Sequence, residues 1–351
     1  PASLIGNWSG ELEKFAPSIS FQILHSSSMA KSDFRKPIKK TNNDVVITTY
    51  GMVKRIPWLK DRVWDLLVID EAQAIKNSKT GQTLAVKKLK SRSSFALTGT
   101  PIENRLADLW SIFDYSCPGL LGTTKEFGEF SKQANSDGMI DYRPLRSLIS
   151  PYILRRKKTD KSVISDLPDK TEVKAYCSLS NEQVVLYQNK VQELTQIVEN
   201  KDISGIQRKG LILSYLMKFK QICNHPSQYN GDNAYDYDQS GKFSRLREIA
   251  ETISSRGEKV LVFTQFRELT DILEGFLSEI FGRSGLILHG GTAVKKRKDL
   301  VKSFQQDGGP PFFVLSIKAG GTGLNLTHAS HVIHFDRWWN PAVENQATDR
   351  A

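Results

Sequence analysis

Cysteine is scarce in this chain of 351 residues, with three copies at Cys117, Cys177 and Cys223. Because the three lie far apart, their spacing matches neither a disulfide framework nor a zinc-binding motif. Apolar runs are short as well, and none reaches the roughly 18 residues that a helix needs to cross a bilayer. The sequence therefore predicts reduced thiols, an intracellular setting and no membrane partner.

A phosphate-binding loop is also missing. Such a loop needs Gly-x-x-x-x-Gly-Lys and then Ser or Thr, between a strand and a helix, so that backbone amides and the lysine surround the phosphates. The pair Gly241-Lys242 is followed by Phe243, and Asp236 stands where the first glycine would be. We therefore expect this stretch not to hydrolyse ATP by itself.

Basic residues outnumber acidic ones, with 49 Lys and Arg against 38 Asp and Glu, which gives a net charge of +11. This balance favours a polyanionic partner, and nucleic acid is the usual one. A basic surface can also serve solubility alone. With 39% hydrophobic residues, the chain is long enough to form two globular lobes.

Two carboxylates, Asp70 and Glu71, follow the apolar run Leu66-Leu67-Val68-Ile69. Such a run predicts a parallel strand that is buried on both faces, and ligands of open α/β sheets bind beyond the carboxyl ends of such strands. There Asp70 can hold Mg²⁺ through its water shell, and Glu71 can position or deprotonate the water that attacks a nucleotide. Taken alone, the pair is more typical of an acidic helix N-terminus.

A second polar segment, Thr98-Gly99-Thr100-Pro101, follows a short apolar strand at residues 95–97, one helix-length downstream. Two parallel strands that end in this way predict one shared crevice. Together the two segments resemble the second and third motifs of superfamily-two helicases and translocases. The flanking segments narrow the resemblance to the SWI/SNF-type ATPases: Ile75-Lys76-Asn77, Ile102-Glu103-Asn104 and Leu109-Trp110-Ser111.

The C-terminal third of the chain resembles the same family. Strand and helix patterns alternate from Lys259 to Asp336. The glycine-rich segment 316–325 is similar to the fifth motif, and residues 337–350, which begin Arg337-Trp338-Trp339-Asn340-Pro341, are similar to the sixth. The resemblance implies an α/β fold with two RecA-like doubly wound lobes, parallel sheets and helical insertions, in which the first lobe lacks the phosphate-loop strand.

The resemblance also implies the order of domains. Residues 1–122 would form part of the first lobe, 123–158 a helical protrusion and connector, 159–240 a linker and second helical insertion, and 241–351 the second lobe. A capping-box pattern of Ser180 and Gln183 starts a helix in the second insertion, and the polar composition of residues 230–241 favours a mobile loop. Because Ala351 falls inside the sixth motif, we expect a piece of a longer protein, cut at both ends.

Site residues follow from the resemblance position by position. Catalysis is assigned to Asp70, Glu71 and Arg350; Arg350 would reach across the cleft to the γ-phosphate, and Asp70 would hold Mg²⁺ through water. The nucleotide cleft is assigned to Gln73, Thr98, Gly99, Thr100, Gly321, Gly323 and Gln346. DNA contacts are assigned to Ser3, Thr49, Arg156, Lys318 and Asn325.

The implied function is an ATP-dependent double-stranded DNA translocase that uses ATP and Mg²⁺ to displace or remodel DNA-bound proteins, with no strand separation required. Gln73 stands where eukaryotic relatives more often carry His, which favours a bacterial or archaeal branch and hence the cytoplasm or nucleoid; in a eukaryote the nucleus is expected. Two alternatives stay open. One is another superfamily-two motor, such as an RNA helicase or a restriction-type translocase, and the other is a non-catalytic DNA-binding scaffold.

Overall fold

A computed structural model describes residues 1–26, 28, 34, 43–102, 105–136, 141–156, 170–199, 205–320 and 324–351. Contacts between residues divide the chain into two units. The middle unit is Lys60–Tyr176, and the outer unit combines Pro1–Leu59 with Cys177–Ala351. The domain boundaries that we inferred from the sequence stay a prediction.

Every strand pairing in the described residues is parallel. The strands are β1 (Phe21–Leu24), β2 (Val45–Thr48), β3 (Val63–Ile69), β4 (Lys90–Ala96), β5 (Val260–Thr264), β6 (Leu286–Leu288), β7 (Phe312–Ser316) and β8 (His331–His334). β1 pairs with β2, β3 pairs with β4, and the remaining four form one sheet in the order β6-β7-β5-β8. The predicted α/β class with parallel sheets is confirmed.

From β2 onward, a helix lies between each strand and the next in the described residues, as parallel pairing requires. The helices are α1 (Ile5–Phe15), α2 (Tyr50–Val53), α3 (Gly81–Lys87), α4 (Leu106–Ser116), α5 (Thr124–Ser136), α6 (Arg143–Ile149), α7 (Asn181–Glu199), α8 (Gly205–Asn224), α9 (Pro226–Asn230), α10 (Gly241–Ser255), α11 (Leu269–Phe281), α12 (Val294–Phe304), α13 (Ile317–Gly320) and α14 (Pro341–Thr348). Within the described ranges, none of them is long and apolar enough to span a membrane.

The four-stranded sheet is covered on both faces. Along β5, Val260 and Val262 pack with α10 and α11, while Leu261 and Phe263 point to the opposite face, where α12 and α14 contribute Phe304 and Ala347. All five residues of β5 are buried. A strand that is buried at every position is what a sheet between two helical layers requires, so this lobe is doubly wound as the sequence predicts.

The middle unit is built differently, because helices cover only one face of its β3–β4 pair in the described residues. α4 packs there, and the Ser111 hydroxyl donates a hydrogen bond of 2.6 Å to the Ile75 carbonyl. On β3, Leu66 is 50% exposed and Val68 is 45% exposed. The expectation that this strand is buried on both faces is therefore wrong. Apolar sequence alone does not reveal whether a second covering layer is present.

The helical pair α7 and α8 begins at the predicted capping box, which is confirmed. Ser180 N donates to Gln183 Oε1 at 3.0 Å, and Gln183 N donates to Ser180 Oγ at 3.2 Å. The Gln183 side chain is fully buried and also donates to the Ile222 carbonyl on α8 at 2.7 Å. One side chain thus caps α7 and fastens it to α8.

The segment between α9 and α10 is anchored, which makes the expectation of a mobile loop wrong. The ring of Tyr237 lies 5.2 Å from that of Phe243 and 4.6 Å from that of Phe276. Tyr235 packs on His225 at 4.8 Å, and His225 Nε2 lies 2.7 Å from the Asp236 carbonyl oxygen. Two aromatic residues, Tyr235 and Tyr237, hold this segment against the helices, although its average composition is polar.

Candidate functional site

The two polar segments of the middle unit lie side by side at the carboxyl edge of the β3–β4 pair. In the parallel register Ile69 is opposite Ala96. Hydrogen bonding continues beyond the strands, because Leu97 N donates to the Ile69 carbonyl at 2.8 Å and Ala72 N donates to the Leu97 carbonyl at 2.9 Å. The residues after each strand, Asp70 and Thr98, therefore reach the same edge.

The backbone turns sharply at the acidic pair. Glu71 has a φ of 52° and a ψ of 54°, which is the left-handed region that residues other than glycine seldom adopt. Its N–H donates to Asp70 Oδ1 at 2.8 Å, and the chain continues into a 3-10 turn over Ala72–Ile75. Strain of this kind is concentrated at functional sites and costs on the order of 1–3 kcal/mol.

A chain of hydrogen bonds joins the two segments through Gln73. Its Nε2 donates to Glu71 Oε2 at 2.6 Å, and its Oε1 accepts from the Thr98 hydroxyl at 2.7 Å. Glu71 is only 8% exposed, so the amide supplies a donor to a carboxylate that has largely left water. Since an amide donates and accepts at once, Gln73 makes the position of Glu71 depend on that of Thr98.

The next residues combine open space with an unsatisfied hydroxyl. Thr100 N donates to Thr98 Oγ1 at 3.1 Å. Thr100 itself is 6% exposed, and its buried Oγ1 has no hydrogen-bond partner among the described residues. A Cβ placed on Gly99 would meet no heavy atom within 4 Å. A buried hydroxyl without a partner costs about 1–3 kcal/mol, which a polar ligand atom at this edge would offset.

In the outer unit, Asp336 lies at the carboxyl ends of β5 and β8 and is 2% exposed. Its carboxylate accepts from Thr264 Oγ1 at 2.5 Å and from Gln265 N at 2.9 Å, which ties the end of β8 to the end of β5. Burial raises the pKa of Asp336, while these two hydrogen bonds and the nearby Lys242 ammonium act in the opposite direction.

The segment that resembles the sixth motif is organised by Glu344 on α14. This carboxylate is 4% exposed and accepts from the Arg337 guanidinium at 2.9 Å and from Trp338 N at 2.6 Å. Past the end of α14, the Arg350 carbonyl accepts from Leu326 N at 2.9 Å. This bond brings the backbone of the segments that resemble the fifth and sixth motifs together.

The remaining predicted residues are scattered over the described surface or fall outside it. Thr49 is buried just before α2, Gln346 is half-buried on α14, and Arg156, Lys318 and Asn325 are exposed. Gly321, Gly323 and the side chain of Ser3 lie outside the described part of the chain. Asp70 and Glu71 belong to the middle unit and Arg350 to the outer unit. All these site assignments stay predictions.

Sequence reasoning missed three charged residues that the structure makes prominent: Lys220, Asp336 and Glu344. One of them carried a usable signal. Asp336 stands two residues past the end of β8, a strand-end position similar to that of Asp70 after β3. Glu344 bonds to Arg337 and Trp338, seven and six residues earlier in the segment that resembles the sixth motif, but the resemblance gave it no role. No local pattern marks Lys220, because its partner lies 117 residues away.

Comparison with known proteins identifies relatives of both halves of the chain. Residues 1–228 match the family model of the SNF2-related domain, and residues 241–351 match that of the helicase conserved C-terminal domain. The putative ATP-dependent helicase/translocase YwqA of Bacillus subtilis is 42% identical over 357 residues, covering 100% of this chain and 38% of that protein. The ISWI chromatin-remodeling complex ATPase ISW2 of Saccharomyces cerevisiae is 32% identical, covering 100% and 32%.

Among solved structures, the SWI2/SNF2 ATPase core of Sulfolobus solfataricus in complex with dsDNA is 42% identical, covers 100% of this chain and 72% of that one, and gives a TM-score of 0.48. The chain spans about a third of the length of the curated relatives it matches, 38% and 32% for the two above.

Proposed function

This chain belongs to the SNF2-related family, and we propose that the protein containing it is an ATP-dependent double-stranded DNA translocase that displaces or remodels DNA-bound proteins, with no strand separation required. The observation that carries the proposal is the hydrogen-bonded chain from Glu71 through Gln73 to Thr98. It gives a nearly buried carboxylate a fixed direction and couples it to a second strand end. The helicase, translocase and remodelling names of the relatives support the same activity.

Glu71 would orient the attacking water and accept its proton, and Gln73 would hold the carboxylate in the direction needed. Thr98 would transmit a change at the nucleotide between Gln73 and Thr100, because its hydroxyl donates to Gln73 Oε1 and accepts from Thr100 N. Arg350 would contribute positive charge to the γ-phosphate in the transition state. Binding of ATP at this edge would also give the Thr100 hydroxyl a partner.

The donor chemistry of the middle unit fits Mg²⁺ in the company of phosphates. Asp70 offers a carboxylate, and Mg²⁺ prefers one or two carboxylates with several retained waters. No group of three or more His, Cys, Asp or Glu that could enclose a metal occurs in the described ranges. When bound, the ion would neutralise charge on the phosphates, while Asp70 would fix its position through water.

Duplex DNA would be held by its backbone. The net charge of +11 favours sequence-independent phosphate contact. We assign contacts to Ser3, Thr49, Arg156, Lys318 and Asn325, of which the last three are exposed. A DNA track also implies an intracellular location, and the displaced proteins would be those already bound to that track.

The test is the ATPase activity of the full-length natural protein with duplex DNA, single-stranded DNA or RNA. We expect duplex DNA to stimulate hydrolysis most. Glu71→Gln should still bind nucleotide but lose turnover by at least about a hundredfold, since general base catalysis contributes about 10²–10⁴-fold. Displacement of a triplex-forming strand or of a bound protein from the duplex then reports movement.

The matched control is Asp65→Asn, which changes an acid on the same strand. Asp65 is 87% exposed and forms a surface ion pair with Arg92 at 3.1 Å, so wild-type turnover is expected. Stimulation by RNA or single strands but not by duplex would assign the protein to another class of motor. An active Glu71→Gln variant would remove Glu71 from the catalytic role.

A further inference from the structure

Lys220, near the end of α8, contacts the turn that precedes α14. Its hydrogen-bond partner there, Arg337, lies 117 residues later in the sequence. The Lys220 Nζ donates to the Arg337 carbonyl oxygen at 2.5 Å and lies 3.8 Å from the centre of the Trp339 ring. The ammonium therefore combines a charge-assisted hydrogen bond with a close cation–π contact. Burial lowers the pKa of Lys220, and the nearby Asp336 carboxylate opposes that shift.

The turn that Lys220 contacts is joined to α14 by three hydrogen bonds. Glu344 of α14 accepts from the Arg337 guanidinium through Nε at 2.9 Å and from Trp338 N at 2.6 Å. The Asn340 side chain caps the helix by accepting from Ala342 N at 3.0 Å. Residues 337–340 are therefore tied to α14 at both ends of the turn.

At the other side, α8 is hydrogen-bonded to both α7 and α10. Gln183 at the start of α7 donates to the Ile222 carbonyl, two residues after Lys220. Asn224 at the end of α8 accepts from Lys242 Nζ at 2.7 Å. The Lys220 side chain therefore spans two well-anchored pieces, the helical pair and the turn with α14.

We propose that Lys220 is a positioning residue that couples the α7–α8 pair to α14 and thereby holds Gln346 and Arg350 in place for the nucleotide reaction. The role of those two residues rests on the proposed function above. Coupling of this kind is reciprocal. A displacement of α8 would therefore shift α14. In the same way, a contact that α14 makes during the reaction would change the position of the α7–α8 pair.

The first test measures hydrogen exchange of the backbone amides of residues 342–348 in the full-length protein. In Lys220→Met the long apolar side chain remains but the cation is gone, and the amides of α14 should exchange about tenfold faster, since local opening becomes easier. Lys220→Arg keeps both a donor and a cation and should restore protection. Lys209→Met changes an exposed lysine on the same helix and should leave α14 as in wild type.

The second test separates positioning from general damage through ATPase kinetics with duplex DNA. Loss of alignment should lower kcat by about threefold to tenfold, in the range of measured couplings, and leave KM for ATP unchanged, because Arg350 would act chiefly in the transition state. Lys220→Arg should recover kcat, and Lys209→Met should not lower it.

Unchanged exchange of residues 342–348 in Lys220→Met would overturn the inference, whatever the ATPase shows. Equal acceleration across α10 and β5 would overturn it too, since that pattern means general destabilisation. A wild-type protein without duplex-stimulated ATPase would refute the proposed function instead, and the exchange arm would still decide whether Lys220 couples the two pieces.

Discussion

Replacing Gln73 by Leu is the sharpest test of the chain of hydrogen bonds in the middle unit. Leucine fills similar space but can neither donate to Glu71 nor accept from Thr98. Both bonds, of 2.6 Å and 2.7 Å, are therefore lost without a large cavity. Glu71 would keep its backbone turn but lose the donor that fixes its carboxylate.

The bond lengths and burial set the expected magnitude. A hydrogen bond to a charged group contributes about 1.5–3 kcal/mol, and Glu71 at 8% exposure lies where such bonds are strong. If most of that loss falls on the transition state, kcat drops about tenfold to a hundredfold, at about 1.36 kcal/mol for each factor of ten. The Thr98 bond adds a smaller contribution.

The assay is steady-state ATP hydrolysis by the full-length protein at saturating duplex DNA. Gln73→His should retain activity within about tenfold, because imidazole can also donate to one partner and accept from the other. Gln82→Leu is the control: it removes a 3.1 Å bond to the Ala74 carbonyl in the same turn without touching Glu71. Wild-type kcat in Gln73→Leu, or an equal loss in Gln82→Leu, would refute the reasoning.

Three further outcomes are expected. Gly241→Ala should lower the melting temperature, because its Cβ would stand 1.7 Å from the Ser178 carbonyl oxygen, whereas Gly275→Ala, with no heavy atom within 4 Å, should gain about 0.5–1 kcal/mol. Burial raises the pKa of Asp336, so urea unfolding should show wild type losing stability relative to Asp336→Asn as the pH rises from 3.8 through the folded pKa. Duplex binding by filter or anisotropy assay should weaken about 10³-fold or more between 50 and 200 mM salt if six or more phosphates are contacted.

Sequence patterns predicted the last lobe best. The alternation of strand and helix expected from Lys259 to Asp336 contains β5 and β7, in each of which the first four residues are apolar and all five are buried. The same reasoning failed for the burial of β3, where Leu66 and Val68 are about half exposed. An apolar run indicates a strand, but the number of layers covering it depends on contacts that no local window contains.

The sequence predicted which segments of the candidate site lie together, but not the contacts between their side chains. Strand ends and their spacing predicted that Asp70 and Thr98 share an edge. They did not predict the left-handed turn at Glu71 or the bridging amide of Gln73, which depend on backbone angles and side-chain direction. The contacts of Lys220 could not be predicted from local sequence, because its hydrogen-bond partner lies 117 residues away.

Tyr237, lying against Phe243 of α10 and Phe276 of α11, has a consequence for protein engineering. The stretch that joins α9 to α10 supplies part of the interior of the last lobe. A chimera that takes this lobe from one relative and α7–α8 from another would put mismatched rings into that interior. In such a chimera the stretch between α9 and α10 should therefore come from the same relative as α10 and α11.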